Sequence, residues 1–579
     1  MKLFRKIAAC GITCACAFML FGCAGSEEPA SEDSLATYAD IDNMDFEYTD
    51  CDKDASYDEA SATKIALTGD SATVEGEGAQ ADGSTVTIDA EGTYVVSGEL
   101  ANGQLCVNIA DTEKAQIVLA NASIHNESGA ALFVEQADKC FITLAADSEN
   151  TLTDGADYAL AEGADEPDAV LFSNDDLTIN GTGKLTVDAQ YKDGIASKDD
   201  LTITGGTYDI TAAEDGLRGK DSLKILDGTF TVEAGEDALK SSRDDDPTRG
   251  FVSIDGGTFA LKAGDDAVHG ETYLRVTNGK IAVSTCEEGL EAMVVQVDDG
   301  TVSINANDDA LNAADPSATS ETAGADVSEG MPDAPTGMDG AKPEGEPTGT
   351  PRELPGGTDT QGEQPPAKPD GDASGGADRP QEPPAREGND DAASMPMRDS
   401  GDKGQMPAED NGEEQGRDGD LSAAPMPSQG GGEKGSENCK IIINGGTLTL
   451  EAKGDAIDSN GSLEINGGTV YVTGPTSGGD GALDYALDAS CNGGELVIVG
   501  SADMAQDFSA SAQPSAFVRA TGAAGQEVSV VDPSGTTLLS YTPTAAFETV
   551  IVSSSQFVDG QEYSLAIGDA ITKFTAATK

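Results

Sequence analysis

Asp193-Gly194-Ile195 returns as Asp215-Gly216-Leu217, Asp237-Ala238-Leu239, Asp266-Ala267-Val268, Glu288-Gly289-Leu290 and Asp309-Ala310-Leu311, at steps of 22, 22, 29, 22 and 21 residues. The one long step carries an inserted loop around Ser241 to Gly250. Between corners lie apolar pairs at alternate positions: Leu201/Ile203, Leu223/Ile225, Val252/Ile254 and Leu274/Val276. A turn such as Gly205-Gly206-Thr207 or Gly256-Gly257-Thr258 follows, and a second alternating pair closes each unit: Tyr208/Ile210, Phe230/Val232, Phe259/Leu261, Ile281/Val283 and Val302/Ile304.

Alternation at period two means strands with one buried face. Strands this short cannot bury that face alone, but successive turns stacked on one another can, which is the logic of a solenoid. No unit offers ten residues with apolar positions at helical spacing, so the reading is an all-β parallel β-helix of about 22 residues per coil. Each coil then pairs with the next ~4.8 Å along the axis. Tyr208, Phe230 and Phe259 fall on one inward ladder and are expected in the core.

The remaining sequence divides around this repeat. Lys2, Arg5 and Lys6 precede an apolar run, Ile7 to Phe21, that is short for a membrane span. It ends in Leu20-Phe21-Gly22-Cys23, which resembles a bacterial lipobox with Cys23 as the acylated residue. Residues 1–23 are therefore expected to be a lipoprotein signal peptide, and 24–61 an acidic flexible tether. A β cap is expected over 62–104, coils over 105–312 and 438–500, and a C-terminal β module over 501–579 that covers the far end. Residues 313–437 hold 17 of the 24 prolines and no aromatic residue, a composition too poor in apolar surface to offset chain entropy. Disorder is expected there, as an insertion within one coil, because Asp455-Ala456-Ile457 and Gly479-Asp480-Gly481-Ala482-Leu483-Asp484 resume the repeat in register.

With 105 acidic against 33 basic side chains, the net charge is −72. Nucleic acid, which is bound through clustered Lys and Arg, is excluded as a partner. Divalent cations with oxygen ligands suit such a chain, although acidity alone also serves solubility. Six cysteines follow Cys23, from Cys51 to Cys491, without a C-x-x-C spacing that suggests zinc.

Stacking aligns the corner acids Asp193, Asp215, Asp237, Asp266, Glu288, Asp309, Asp455 and Asp480 in a column, expected to face solvent. A second acid precedes several of them: Glu214, Glu236, Asp265, Glu287 and Asp308. Like charges every ~4.8 Å repel by roughly 1–3 kcal/mol per neighbour, so hydration, Lys/Arg interleaving, raised pKa values or bound cations must relieve them. Lys198, Lys220 and Lys240 could neutralise the middle coils. Later coils carry Asn312, Asp458 and Asp484 instead, and are the best place for calcium. The alternative is that Asp occupies these corners only for its side-chain-to-backbone bonds. No catalytic residues are assigned: Arg218, Arg243, Arg249 and Arg275 lack any mark of a base, and His125 and His269 are isolated. A flat aromatic platform is not expected in a chain without tryptophan, although Tyr191, Tyr273, Tyr471 and Tyr485 are present.

Together, Gly92-Thr93-Tyr94-Val95-Val96-Ser97-Gly98, Asn150-Thr151-Leu152-Thr153-Asp154-Gly155, the repeated Asp-Gly and Gly-Gly-Thr corners and Gly481-Ala482-Leu483-Asp484 resemble a known family over roughly residues 62–565. It is the secreted bacterial carbohydrate-binding parallel β-helix family, of the clostridial cellulose- and polygalacturonate-binding lipoprotein type. The resemblance implies a right-handed β-helix, calcium at acidic corners, and affinity for acidic plant polysaccharide without catalysis. The long acidic insertion departs from the family core. The expected protein is a monomer at the outer cell surface, held to the bacterial membrane by lipid on Cys23. Its polysaccharide would be bridged by calcium at Asp193, Asp215, Asp237, Asp266, Glu288, Asp309, Asp455, Asp458, Asp480 and Asp484. A calcium-dependent polysaccharide lyase and a structural surface protein or adhesin are the alternatives.

Overall fold

A computed structural model of the chain describes residue 36 and residues 38–161, 163–315, 435–476 and 478–579. The expected signal peptide, Cys23 and nearly all of the expected disordered insertion lie outside the described residues.

Over the described residues the protein is all-β, with no helix longer than the four residues Asp50–Lys53. The period-two segments form strands as their pattern requires. Thr229–Ala234 alternates exposed and buried, and its buried set is Phe230, Val232 and Ala234. Each regular unit contributes three strands, for example Leu217–Gly219, Ser222–Ile225 and Thr229–Ala234. Each pairs in parallel with its equivalent one unit on: Leu217 with Leu239, Leu223 with Val252, Phe230 with Phe259. The short first strands collect in a 13-stranded sheet, and the others in a 27-stranded sheet.

Stacking identical positions produces side-chain ladders inside. The rings of Tyr208, Phe230 and Phe259 lie parallel, with successive centroids 4.7 Å apart, so these residues are core. One apolar cluster runs from Ile65 to Ile498 through every coil. Among the described residues, the five cysteines from Cys106 to Cys491 are buried without disulfides, and only Cys51 is exposed. Leu311–Ala313 and Lys440–Ile443 flank the long insertion, yet both pair in register with their neighbours (Leu290 with Leu311, Lys440 with Ser462).

The sheets are mixed, because antiparallel strands close both ends. Thr63–Gly69 pairs antiparallel with Ala72–Glu75 but parallel with Gly92–Leu100. At the other end Glu495–Gly500 pairs antiparallel with Phe547–Ser553, and a four-stranded sheet built from residues 528–576 packs a second core over Val497 and Val499. Capped in this way, the last coils expose no unpaired edge at these strands.

The expected tether is different from residue 38 onward. It is a strap laid across the outer face of the larger sheet. Met44 packs with Phe251, Tyr273 and Val294. Phe46 meets Phe251 edge-on at 4.9 Å and lies under the Arg275 guanidinium at 3.8 Å. Tyr48 donates to Asp255 (2.8 Å), and buried Asp52 pairs with Lys139 (2.8 Å). The composition is polar, but Met44, Phe46 and Tyr48 alternate, and that face adheres to the sheet.

Candidate functional site

The corner aspartates do form a column, but they are not its solvent-facing row. Asp193, Asp215, Asp237 and Asp266 are only 2–4% exposed. The acids just before them carry the exposed row: Glu236, Asp265, Glu287 and Asp308. Burial follows from how closely the corners stack. A Cβ on Gly264 would come within 2.0 Å of the Gly235 carbonyl oxygen, and one on Gly235 within 2.0 Å of that of Ala213.

Asp193, Asp215 and Asp237 each have two tasks. One oxygen accepts the backbone N–H of the next corner: Asp193 Oδ1 from Asp215 (3.2 Å), Asp215 from Asp237 (3.1 Å), Asp237 from Asp266 (2.8 Å). This is the corner role expected of Asp, except that the bond runs to the next coil. The other oxygen faces a second column, built by the residue three places on. There the short strands align Ala196, Arg218, Lys240, His269, Glu291, Asn312, Asp458 and Asp484 in unbroken register. In the last coil Gly481, not the expected Asp480, takes the corner place and donates its N–H to Asp455 Oδ1, three residues before Asp484.

The second column changes sign along the axis. Arg218 reaches Asp193 (2.7 Å) and Asp168 (2.9 Å). Lys240 lies 2.6 Å from Asp237 and 3.5 Å from Asp215, and His269 lies 2.7 Å from Asp266. These three cations, not the expected Lys198 and Lys220, neutralise the middle coils; Lys198 turns to Glu166. Burial opposes charge on Arg218 and Lys240, but the carboxylates beside them dominate and hold both protons well above the ordinary range. His269 is raised in the same way by Asp266 and Glu271.

Beyond His269 the cations stop and the ladder breaks. Asp266 Oδ1 is buried with no hydrogen-bond partner. Oxygens of Asp265, Asp266 and Glu288 lie within 4.8 Å of one another. Burial first, and then Asp266, pushes the Glu291 carboxyl up to about 8. Burial and then Asp458 and Asp455 push Asp309 up to about 8, and Asp455 rises to about 7, chiefly through burial. Asn312 Oδ1, between Glu291 and Asp458 in the column, is another buried acceptor without a partner. The backbone ladder resumes from Asp309 Oδ1 to the Asp455 N–H (2.6 Å).

Of the residues expected to hold metal, four (Asp193, Asp215, Asp237, Asp266) already face Arg, Lys or His. Glu288, Asp309, Asp455, Asp458, Asp480 and Asp484 lie along the stretch where the column is acidic. Glu291 was not anticipated. Superposing the repeats at the position three beyond each corner would have revealed it, together with the roles of Arg218 and His269.

A curated carbohydrate-binding domain-containing protein of Acetivibrio thermocellus is 38% identical over 128 residues, which are 22% of this chain and 45% of the relative. The chain thus spans less than half of that relative's length. The solved structure of a polysaccharide lyase-like protein from C. thermocellum, a gadolinium derivative, aligns at 34% identity and a TM-score of 0.38, covering 38% of this chain and 91% of that one. Over residues 82–340, which include Arg218, Lys240, His269, Glu291 and Asn312, the chain matches the family described as carbohydrate-binding domain-containing protein.

Proposed function

We propose that the chain is a cell-surface carbohydrate-binding protein. Its coils would wind as a right-handed parallel β-helix and hold acidic polysaccharide, such as polygalacturonate, through calcium. The family match over residues 82–340 supports carbohydrate as the ligand. The change of sign along one column is the observation that carries the calcium reading: Arg218, Lys240 and His269 give way to Glu291, Asn312, Asp458 and Asp484. In the first half the buried aspartates have cations. In the second, Glu288 lies against Asp266 and Glu291, Asp309 against Asp458 and Asp455, and Asp455 against Asp484 and Asp480, while Glu291 meets both Asp266 and His269.

An all-oxygen set of carboxylates and an amide carbonyl suits a hard cation that takes about six to eight oxygens. The orphaned oxygens of Asp266 and Asn312 fit that demand. Bound there, calcium supplies positive charge between an anionic protein and an anionic glycan, which otherwise repel. Sugar carboxylates would complete its coordination, and the exposed row of Glu287 and Asp308 would flank the contact.

Binding without cleavage is the preferred reading. A lyase needs a base, and the cations in the column, Arg218, Lys240 and His269, are held protonated by their carboxylate neighbours. Lipid on Cys23 would attach the protein to the outside of the bacterial membrane, where it acts as a monomer.

Retention on a polygalacturonate affinity gel tests the proposal. Calcium should retard the protein and EDTA should abolish the retardation. Equal retention in both would overturn calcium bridging, and release of unsaturated, ultraviolet-absorbing sugar would overturn binding without cleavage.

A further inference from the structure

At the cationic end of the column, about 20 Å from Glu288 by four coil steps, one corner is built differently. Ala189 aligns with Ala212, and Ile195 with Leu217. Three residues separate Ala189 from Asp193, but only two separate Ala212 from Asp215. The corner of Gln190, Tyr191 and Lys192 therefore carries one extra residue. The next corners, Ala213-Glu214 and Gly235-Glu236, carry no ring.

The ring of Tyr191 stacks on Tyr158, with centroids 4.2 Å apart and planes inclined by 16°. Tyr158 belongs to the segment between strands Glu149–Asp154 and Ala169–Ser173. Both rings are half-buried and keep part of their surface in solvent. Their pose is fixed: Tyr158 donates to Asp154 Oδ2 (2.7 Å) and the Ala169 carbonyl (3.2 Å), while Asp154 Oδ1 accepts the Gln190 N–H (2.6 Å). Neighbouring Asp168 presents a buried Oδ1 with no hydrogen-bond partner, and Arg218 holds its other oxygen.

An aromatic face beside a few fixed polar groups is the usual make-up of a small-ligand site. A pyranose offers the matching surface, an apolar face of C–H bonds rimmed by hydroxyl donors. Charge narrows the choice. The carboxylates here are Asp154, Glu166, Asp168, Asp188, Asp193 and Glu214, and the cations are Lys192, Lys198 and Arg218, each ion-paired to at least one of these acids. Six against three leaves the site anionic, so a uronate is repelled and a neutral sugar is not. The other stacked outer pair, Tyr471 with Tyr541, joins the coils to the C-terminal module and is structural.

We propose that the outer faces of Tyr158 and Tyr191 form a metal-independent subsite for a neutral pyranose. This rests on the carbohydrate-binding reading but not on its calcium. A polysaccharide with both neutral and acidic segments could then engage both ends of the column at once.

The test is calorimetric titration of the full chain, in EDTA, with neutral gluco-, manno- and xylo-hexasaccharides. At least one should bind. Tyr191→Ala should weaken it about tenfold, the scale of one lost aromatic contact, and Tyr191→Phe should not. Unchanged thermal unfolding of both variants excludes misfolding as the cause. Calcium-dependent retention of polygalacturonate should be the same in all three proteins. If no neutral hexasaccharide binds, or Tyr191→Ala binds like the parent, the subsite is wrong while calcium bridging is untouched. Loss of calcium dependence with neutral binding intact would sink the bridging alone.

Discussion

Arg218 reaches back one coil to Asp193: its nearest nitrogen lies 2.7 Å from Oδ2, against 3.8 Å to Asp215 on its own coil. Lys240 likewise touches acids of two coils. The cation column is therefore interlocked with the acid column, and each basic side chain joins neighbouring turns as well as cancelling charge.

Removing one such cation should be costly. Arg218→Met leaves Asp193 and Asp168 buried without their partner, and breaking a buried pair from one side costs about 3–5 kcal/mol. Adding Asp193→Asn removes one of the stranded charges and should recover part of the loss. Denaturant unfolding of the single and double variants measures both. A single-variant cost under about 1 kcal/mol would mean that the column is hydrated after all.

At the acidic end, pH and calcium should act against each other. Folding raises Glu291 and Asp309 to about 8 and Asp455 to about 7, so between about pH 4 and pH 8 the folded chain binds protons that the unfolded chain has released. Stability in EDTA should therefore fall as pH rises through this window. Calcium replaces those protons, so the rise it causes in the unfolding temperature should be larger at pH 8 than at pH 5.5. Asp309→Asn should stabilise the calcium-free protein at pH 8 yet weaken calcium binding. A change of the same sign in both would contradict the site.

The repeat was legible because stacked repeats write one environment many times: the inward ladder of Tyr208, Phe230 and Phe259 could be read directly from spacing. The corner column was legible for the same reason. Whether Asp193 points to solvent was not, because burial there depends on backbone approach at Gly235 and Gly264 and on which cation covers the carboxylate. Lys198 and Lys220 looked suitable by proximity in sequence, whereas strand register selects the third residue beyond the corner, and so Arg218 and His269. The strap escaped because three alternating apolar residues, Met44, Phe46 and Tyr48, are too few to outweigh an acidic composition.

Phe46 is the apolar anchor of that strap, with Phe251, Tyr273 and Arg275 around it. It is half-buried, so Phe46→Ala should cost about 1–2 kcal/mol of local stability, less than a fully buried ring. Opening should be confined to the strap, since the coils pair with one another independently of it. Limited proteolysis should show cleavage within residues 38–56 faster by about tenfold, with the coils still protected. Equal acceleration of cleavage in the coils would mean that the strap is integral to the stack.

Asp52 fixes the other end of the strap and gives it a pH limit. Its Oδ1 accepts from Lys139 (2.8 Å) and Thr178 (2.7 Å), while Oδ2 caps the short helix by accepting the Thr49 N–H (2.9 Å). Burial by itself would raise this carboxyl, but the bonds from Lys139, Thr49 and Thr178 outweigh burial and hold it at about 2. A depressed value contributes stability that is present above the unfolded value near 4 and is lost as pH falls toward 2. The difference of nearly two units corresponds to about 2–3 kcal/mol. Amide exchange of residues 49–54 should therefore accelerate between pH 4 and pH 2 beyond its intrinsic pH dependence. Asp52→Asn, which cannot titrate, should exchange faster at pH 6 and lose that extra step. If the parent and Asp52→Asn show the same profile, the strap is held by Met44, Phe46 and Tyr48, and the Asp52–Lys139 pair contributes nothing to its docking.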